Sequence, residues 1–159
     1  QQSKEIGINL DYIFLASGTG TTQAGLVAGK KVLNGTEKIV GISIARKAYQ
    51  GIEVITDSLK SYYMEFYNEN LFNYRDITFD DSYIGEGYAD IYREIAETIR
   101  LMLCKNSIVL DPVYTGKAFY GMCQYINKNN IKDKNILFIH TGGTPIFFSR
   151  GKEVVDLLG

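Results

Sequence analysis

The chain of 159 residues has the length of one domain, and its 45% hydrophobic content suffices for an ordinary core without disulfides. Its 17 basic and 18 acidic residues nearly cancel to a formal charge of −1, with no basic block of the kind that grips nucleic acid or an anionic membrane. Cys104 and Cys123 lack a CxxC spacing, no signal peptide is visible and no apolar run could span a bilayer, so a small-molecule partner and a reducing cytoplasm are expected.

In chain order, Tyr12 to Ala16 is a short run of large apolar residues ended by Ser17 and Gly18, and it predicts a strand. The stretch "LASGTGTTQAGLVAG" then turns into a helix over Thr21 to Leu33, weakened by Gly25 and Gly29. A second strand is expected at Ile39 to Ile44. A long helix follows over Gln50 to Leu71, where Ile52, Ile55, Leu59, Tyr63, Phe66 and Tyr67 recur at roughly helical spacing. Asn73 to Gly87, polar and glycine-rich, reads as a surface loop. Tyr88 to Leu103, with Ile91, Ile95, Ile99 and Met102, reads as a helix, and Ile108 to Leu110 as a third strand. A helix over Lys117 to Asn127, a fourth strand at Ile136 to His140 and a short terminal helix complete the series. Strands that are apolar throughout suit burial on both faces, so the expected class is α/β: an open parallel sheet of about four strands with helices on both faces and right-handed crossovers.

In such sheets ligands bind beyond the carboxyl ends of the strands, where three marked turns fall. "SGTGTT" could cradle a phosphate: Gly18 and Gly20 admit a close backbone approach, amides at a helix start donate to an anion, and Thr19, Thr21 and Thr22 add hydroxyls. It matches neither common nucleotide motif, because Gln23 stands where GxGxxG needs glycine and Gly29-Lys30 is followed by Lys31. A turn that merely packs a helix on a sheet would look the same. "DPVYTGK" offers the phenol of Tyr114 and the hydroxyl of Thr115, or simply a capped turn with Tyr114 packed. "HTGG" holds the single histidine, His140, read as a packed, hydrogen-bonded residue, with Thr141 the better ligand contact. One histidine without an acidic cluster argues against a zinc site.

Taken together, "SGTGTTQAGL", "YIGEGYA", "VLDPVYTGKAFYGM" and "ILFIHTGGTPIFF" resemble the D-cysteine desulfhydrase and 1-aminocyclopropane-1-carboxylate deaminase family, nearly from end to end. The stretch Gln50 to Phe79 is the least distinctive. The resemblance implies the tryptophan synthase β-like fold, called fold type II, with pyridoxal 5'-phosphate as cofactor and a small amino acid as substrate. It implies that Thr19, Gly20, Thr21 and Thr22 bind the cofactor phosphate, with Ser17 and Gly18 also among the cofactor-binding residues. Tyr88 and Tyr114 then stand beside the substrate as catalytic phenols, and Thr141, with Gly142, lies at the pyridine nitrogen. Cyclopropane deaminases of this family typically carry Glu where this chain has Thr115 and Leu where it has Thr141. Both differences point to the desulfhydrase branch, which converts D-cysteine to pyruvate, hydrogen sulfide and ammonia; the alternatives are the cyclopropane deaminase itself or a non-catalytic doubly wound ligand-binding module. The family's Schiff-base lysine lies in an amino-terminal half with no counterpart here, and none of the lysines present matches it. Lys117 is expected to face solvent or cap its helix. The chain is therefore expected to be a single-domain carboxyl-terminal portion, beginning at Gln rather than Met, inactive alone and part of a homodimer when whole.

Overall fold

The computed structural model describes residues 2–69 and 71–159. One turn of helix, α1 (Gln2–Glu5), leads into β1 (Tyr12–Ser17), α2 (Thr21–Val32), β2 (Lys38–Ser43) and α3 (Ala48–Tyr67). A 3-10 turn at Tyr74–Asp76 precedes β3 (Thr78–Asp80), and α4 (Arg93–Asn106), α5 (Thr115–Lys128), β4 (Ile136–Ile139) and α6 (Thr144–Leu158) complete the chain.

The sheet order is β3-β2-β1-β4 and every pairing is parallel. Alternation along the strands divides the core between the two faces. Ile13, Leu15, Ile39 and Phe79 meet Val27, Ile55, Leu59 and Tyr63 of α2 and α3. Phe14, Val40 and Ile42 meet Ala118 and Met122 of α5 on the opposite face. A third cluster, around Ile95, Ile99, Leu110 and Val154, extends that second face through α4 and α6. The expected open parallel α/β sheet is what forms.

Two expected elements trade places. Ile108 to Leu110 is not a strand: α4 ends at Ser107 in the left-handed region (φ 57°), and the run is satisfied by burying Leu110 in the third cluster while β4 stays the edge of the sheet. The fourth strand is instead β3, three residues inside the expected loop, with only Phe79 buried between polar neighbours. Period alone cannot separate so short an apolar run from a buried coil. The helix expected from Tyr88 begins only at Arg93, because Ala89 adopts a left-handed conformation (φ 61°). The long helix starts at Ala48, whose amide donates to the Asp81 carboxylate, and ends at Asn68, also left-handed (φ 51°). Of its expected continuation, Asn70 lies outside the described residues.

Candidate functional site

From β1 the chain runs outward through β2 to β3, then returns to the other side of β1 as β4. The helix after β1 covers one face and the helix after β4 serves the other. This is a topological switch point, where diverging helices leave a crevice at the carboxyl ends of adjacent strands. A cavity of about 350 Å³ lies there, lined by Ala16, Gly18, Thr19, Thr22, Tyr114, Thr141, Gly142, Gly143 and Ile146.

Its floor is the start of α2. Gly20 is the N-cap, left-handed at φ 84°, and no side chain caps the helix. A Cβ on Gly20 would come within 2.7 Å of the buried Ile55, so both conformation and space require glycine. The helix begins with the bond from the Ala24 N–H to the Gly20 carbonyl, which leaves the earlier amides for an external acceptor. The helix dipole favours an anion there. Thr19 and Thr22 line the cavity, and the Thr19 and Thr21 hydroxyls are 3.3 Å apart. The Arg46 guanidinium donates to the Gly18 carbonyl and so ties the turn to the exit of β2. Ser17 is buried with an unpartnered hydroxyl, and it lines no part of the cavity.

The other two helices that start here differ from α2. At α5 the fully buried Asp111 carboxylate accepts from the amides of Val113, Tyr114 and Thr115 and from the Thr115 hydroxyl. That end already holds its anion. At α6 the N-cap Gly143 is left-handed (φ 96°) and packed where a Cβ would meet Asp111 at 2.3 Å, while Pro145 removes one donor and Ile146 bonds back to Gly143. Of the three helix starts, α2 is the one equipped for a free anion.

Tyr114 stands on the capped turn with its hydroxyl 2.6 Å from that of Tyr88. The bond to Tyr88, assisted by burial and by nearby Asp111, raises the Tyr114 pKa above the ordinary phenol range. A second cavity of about 360 Å³, lined by Gly18, Thr19, Ile44, Ala45, Arg46, Tyr88 and Tyr114, adjoins the first. Across the crevice, His140 is fixed at both ring nitrogens: Nδ1 accepts from the Gly142 amide, so Nε2 carries the proton and donates to the Val109 carbonyl. The His140 ring thereby orients the turn whose Thr141 and Gly142 line the cavity.

The structure thus gathers Gly18, Thr19, Thr22, Tyr114, Thr141 and Gly142 around one cavity and puts Tyr88 in the adjoining one. Gly20 and Thr21 belong to the same turn without lining the cavity. Thr115 faces away, buried in the Asp111 cap. Arg46, Ile44 and Ile146 were not singled out in the sequence, since each follows a strand or a turn without a motif of its own. The expectation for Lys117 is overturned: it is fully buried, with Nζ donating to the carbonyls of Ile84, Gly87 and Ile44 at 2.9, 3.1 and 3.4 Å. Local polarity suggested a capping lysine, but carbonyls distant in sequence take all three protons. Among the described residues no cluster of His, Cys, Asp or Glu could hold a metal ion, and no helix is long and apolar enough to cross a membrane.

A parallel sheet with an anion-receptive, glycine-started helix at its switch point and hydroxyls around the adjoining cavity fits a phosphorylated cofactor. The chain belongs to the family of pyridoxal-phosphate-dependent enzymes, whose pattern its residues 3–142 match. Three archaeal relatives carry the provisional name 1-aminocyclopropane-1-carboxylate deaminase. That of Pyrococcus furiosus is 37% identical over 99% of this chain and 47% of its own length. Those of Pyrococcus abyssi and Pyrococcus horikoshii are 34% and 40% identical, over 46% and 45% of their lengths. The crystal structure of a protein described as a homologue of the same deaminase superposes with a TM-score of 0.84 at 33% identity, covering 94% of this chain and 45% of that one. The chain spans about half the length of the relatives it matches.

Proposed function

We propose that these 159 residues form the phosphate-binding carboxyl-terminal part of a pyridoxal-phosphate-dependent lyase, acting on a small amino acid and most directly suited to the desulfhydration of D-cysteine. The observation that carries the reading is the uncapped start of α2 opening onto a cavity with the hydroxyls of Thr19, Thr22 and Thr141. In this reading the α2 amides and the threonines of the turn would hold the cofactor phosphate, and Thr141 would serve the ring nitrogen. When bound, the cofactor supplies an electron sink for the negative charge that develops at the substrate's α-carbon. A neutral hydroxyl supports a charged ring nitrogen less than a carboxylate would, which suits elimination under close control by the protein. The Tyr88–Tyr114 pair handles the proton. Its raised pKa keeps Tyr114 protonated at neutral pH, so Tyr114 acts as donor to the departing sulfur rather than as a resting base. The overall balance is D-cysteine and water giving pyruvate, hydrogen sulfide and ammonia.

Among the described residues no lysine lines either cavity. The reading therefore assigns the cofactor's covalent anchor to sequence outside these residues, and the part alone is expected to bind cofactor without turnover. The second reading, deamination of 1-aminocyclopropane-1-carboxylate, is favoured by the names of the Pyrococcus proteins. Against it stand a threonine buried in a cap at 115, where the resemblance leads one to expect Glu in a cyclopropane deaminase, and Thr141 where it leads one to expect Leu. Calorimetric titration of the chain with pyridoxal phosphate, with inorganic phosphate as competitor, tests the cradle, and absence of binding would overturn it. Assay of the chain joined to a lysine-bearing amino-terminal half separates the substrates: sulfide from D-cysteine supports the first reading, whereas ammonia from the cyclopropane alone supports the second.

A further inference from the structure

Lys117 has no part in that mechanism, yet it is among the largest fully buried side chains in the protein. An ammonium taken out of water is costly unless its protons are bonded, and an apolar residue of the same volume would avoid the cost. No carboxylate bonds it. Its three protons go to three backbone carbonyls, those of Ile84 and Gly87 just before Tyr88 and that of Ile44 in the wall of the cavity containing Tyr88. Burial lowers its pKa, opposed by the charge of Asp90. Lys117 lines neither cavity, so it is not placed to reach a cofactor.

Position on the helix gives the arrangement its meaning. Tyr114 is the N-cap of α5 and Lys117 lies in the first turn, so one rigid element carries the first phenol and grips the segment bearing the second. Tyr88 needs such a grip because its side chain is 62% exposed and no core packing fixes it. On its far side the Ala89 carbonyl accepts from Arg150 of α6 at 3.0 Å, and the Glu86 amide donates to Asp90 within the segment. The carbonyls on both sides of Tyr88 are thus held by cations from two different helices.

We propose that Lys117 is a positioning residue: by spreading its ammonium over the carbonyls of Ile44, Ile84 and Gly87 it holds the Tyr88 segment in register with α5, so that the two phenols meet. The catalytic meaning of that pair rests on the function proposed above, while the grip itself does not.

The test places 3-fluorotyrosine at position 114 of the 159-residue chain and follows its fluorine signal through an alkaline titration, without cofactor. Lys117→Met keeps the apolar stem and removes all three donors. The expected result is a titration at position 114 that falls back toward that of free 3-fluorotyrosine, as it does in Tyr88→Phe. The amides of residues 86–90 should exchange about tenfold faster, as for a segment released from its contacts. A folded Lys117→Met with the Tyr114 titration and the exchange unchanged overturns the proposal. Where Lys117→Met does not fold, Lys117→Gln, with two N–H donors on a shorter chain, takes its place, and an undisturbed Tyr114 there is equally fatal. Inorganic phosphate binding, measured on the same samples, should be untouched by either variant. Its absence in the wild-type chain would remove the proposed function and leave the Lys117 result standing.

Discussion

The phenol pair gives the sharpest expectations at the scale of single residues. Tyr88→Phe removes the hydrogen bond that is the first cause of the raised Tyr114 pKa, so Tyr114 should then ionise closer to the ordinary 10.0, a change read by phenolate absorbance. The sign follows from linkage: a phenol raised on folding stabilises the fold below its unfolded pKa, and that contribution disappears as pH rises through the displaced value. The wild-type chain should lose stability more steeply than Tyr88→Phe on the alkaline side of 10.0, as melting temperatures against pH would reveal. In the cradle, Thr22→Val deletes a hydroxyl that lines the cavity and should weaken phosphate binding by about 1 to 3 kcal/mol; unchanged affinity would take Thr22 out of the site. Thr19, Thr22, Tyr114 and Thr141 were legible because each sits in a turn of unusual composition. Lys117 was not, since nothing near it in sequence announces acceptors that lie 30, 33 and 73 residues away.

Whether a helix start is capped decides what it can do here. Asp111 serves four donors at the start of α5, and Asp111→Ala should cost about 2 kcal/mol as a lost cap, with the Tyr114 turn loosened at the same time. Urea unfolding measures the first effect and the Tyr114 titration the second. Gly20→Ala should destabilise by about 1 to 2 kcal/mol from its left-handed backbone alone, with the approach to Ile55 adding strain. Those turns were readable from glycine, threonine and aspartate beside apolar runs. The strands were less so: β1, β2 and β4 carry several large apolar residues, whereas β3 has Phe79 alone, and Val109 spends its carbonyl on His140 instead of a ladder. Hydrophobicity locates burial, and pairing depends on a neighbour that the sequence does not name.

For the molecule as a whole, β4 ends the sheet, and its Leu137 is 40% exposed. Such an edge pairs readily with another chain. Light scattering of the 159-residue chain should show a mass that rises with concentration, and a constant monomer mass would count against association through this edge. The switch-point crevice was legible as a class, because alternating strands and helices with marked turns define it, but the order of the strands was not. The architecture also bears on α6, which contributes one buried residue, Val154, and opens on the Gly143 turn at the cavity. With fewer buried residues than α2, α3, α4 or α5, it is the one of these long helices that opens most readily on its own. A ligand touching both the α2 start and the Thr141–Gly143 turn would bind only when that opening is closed, so occupancy and the ordering of the carboxyl terminus become one equilibrium.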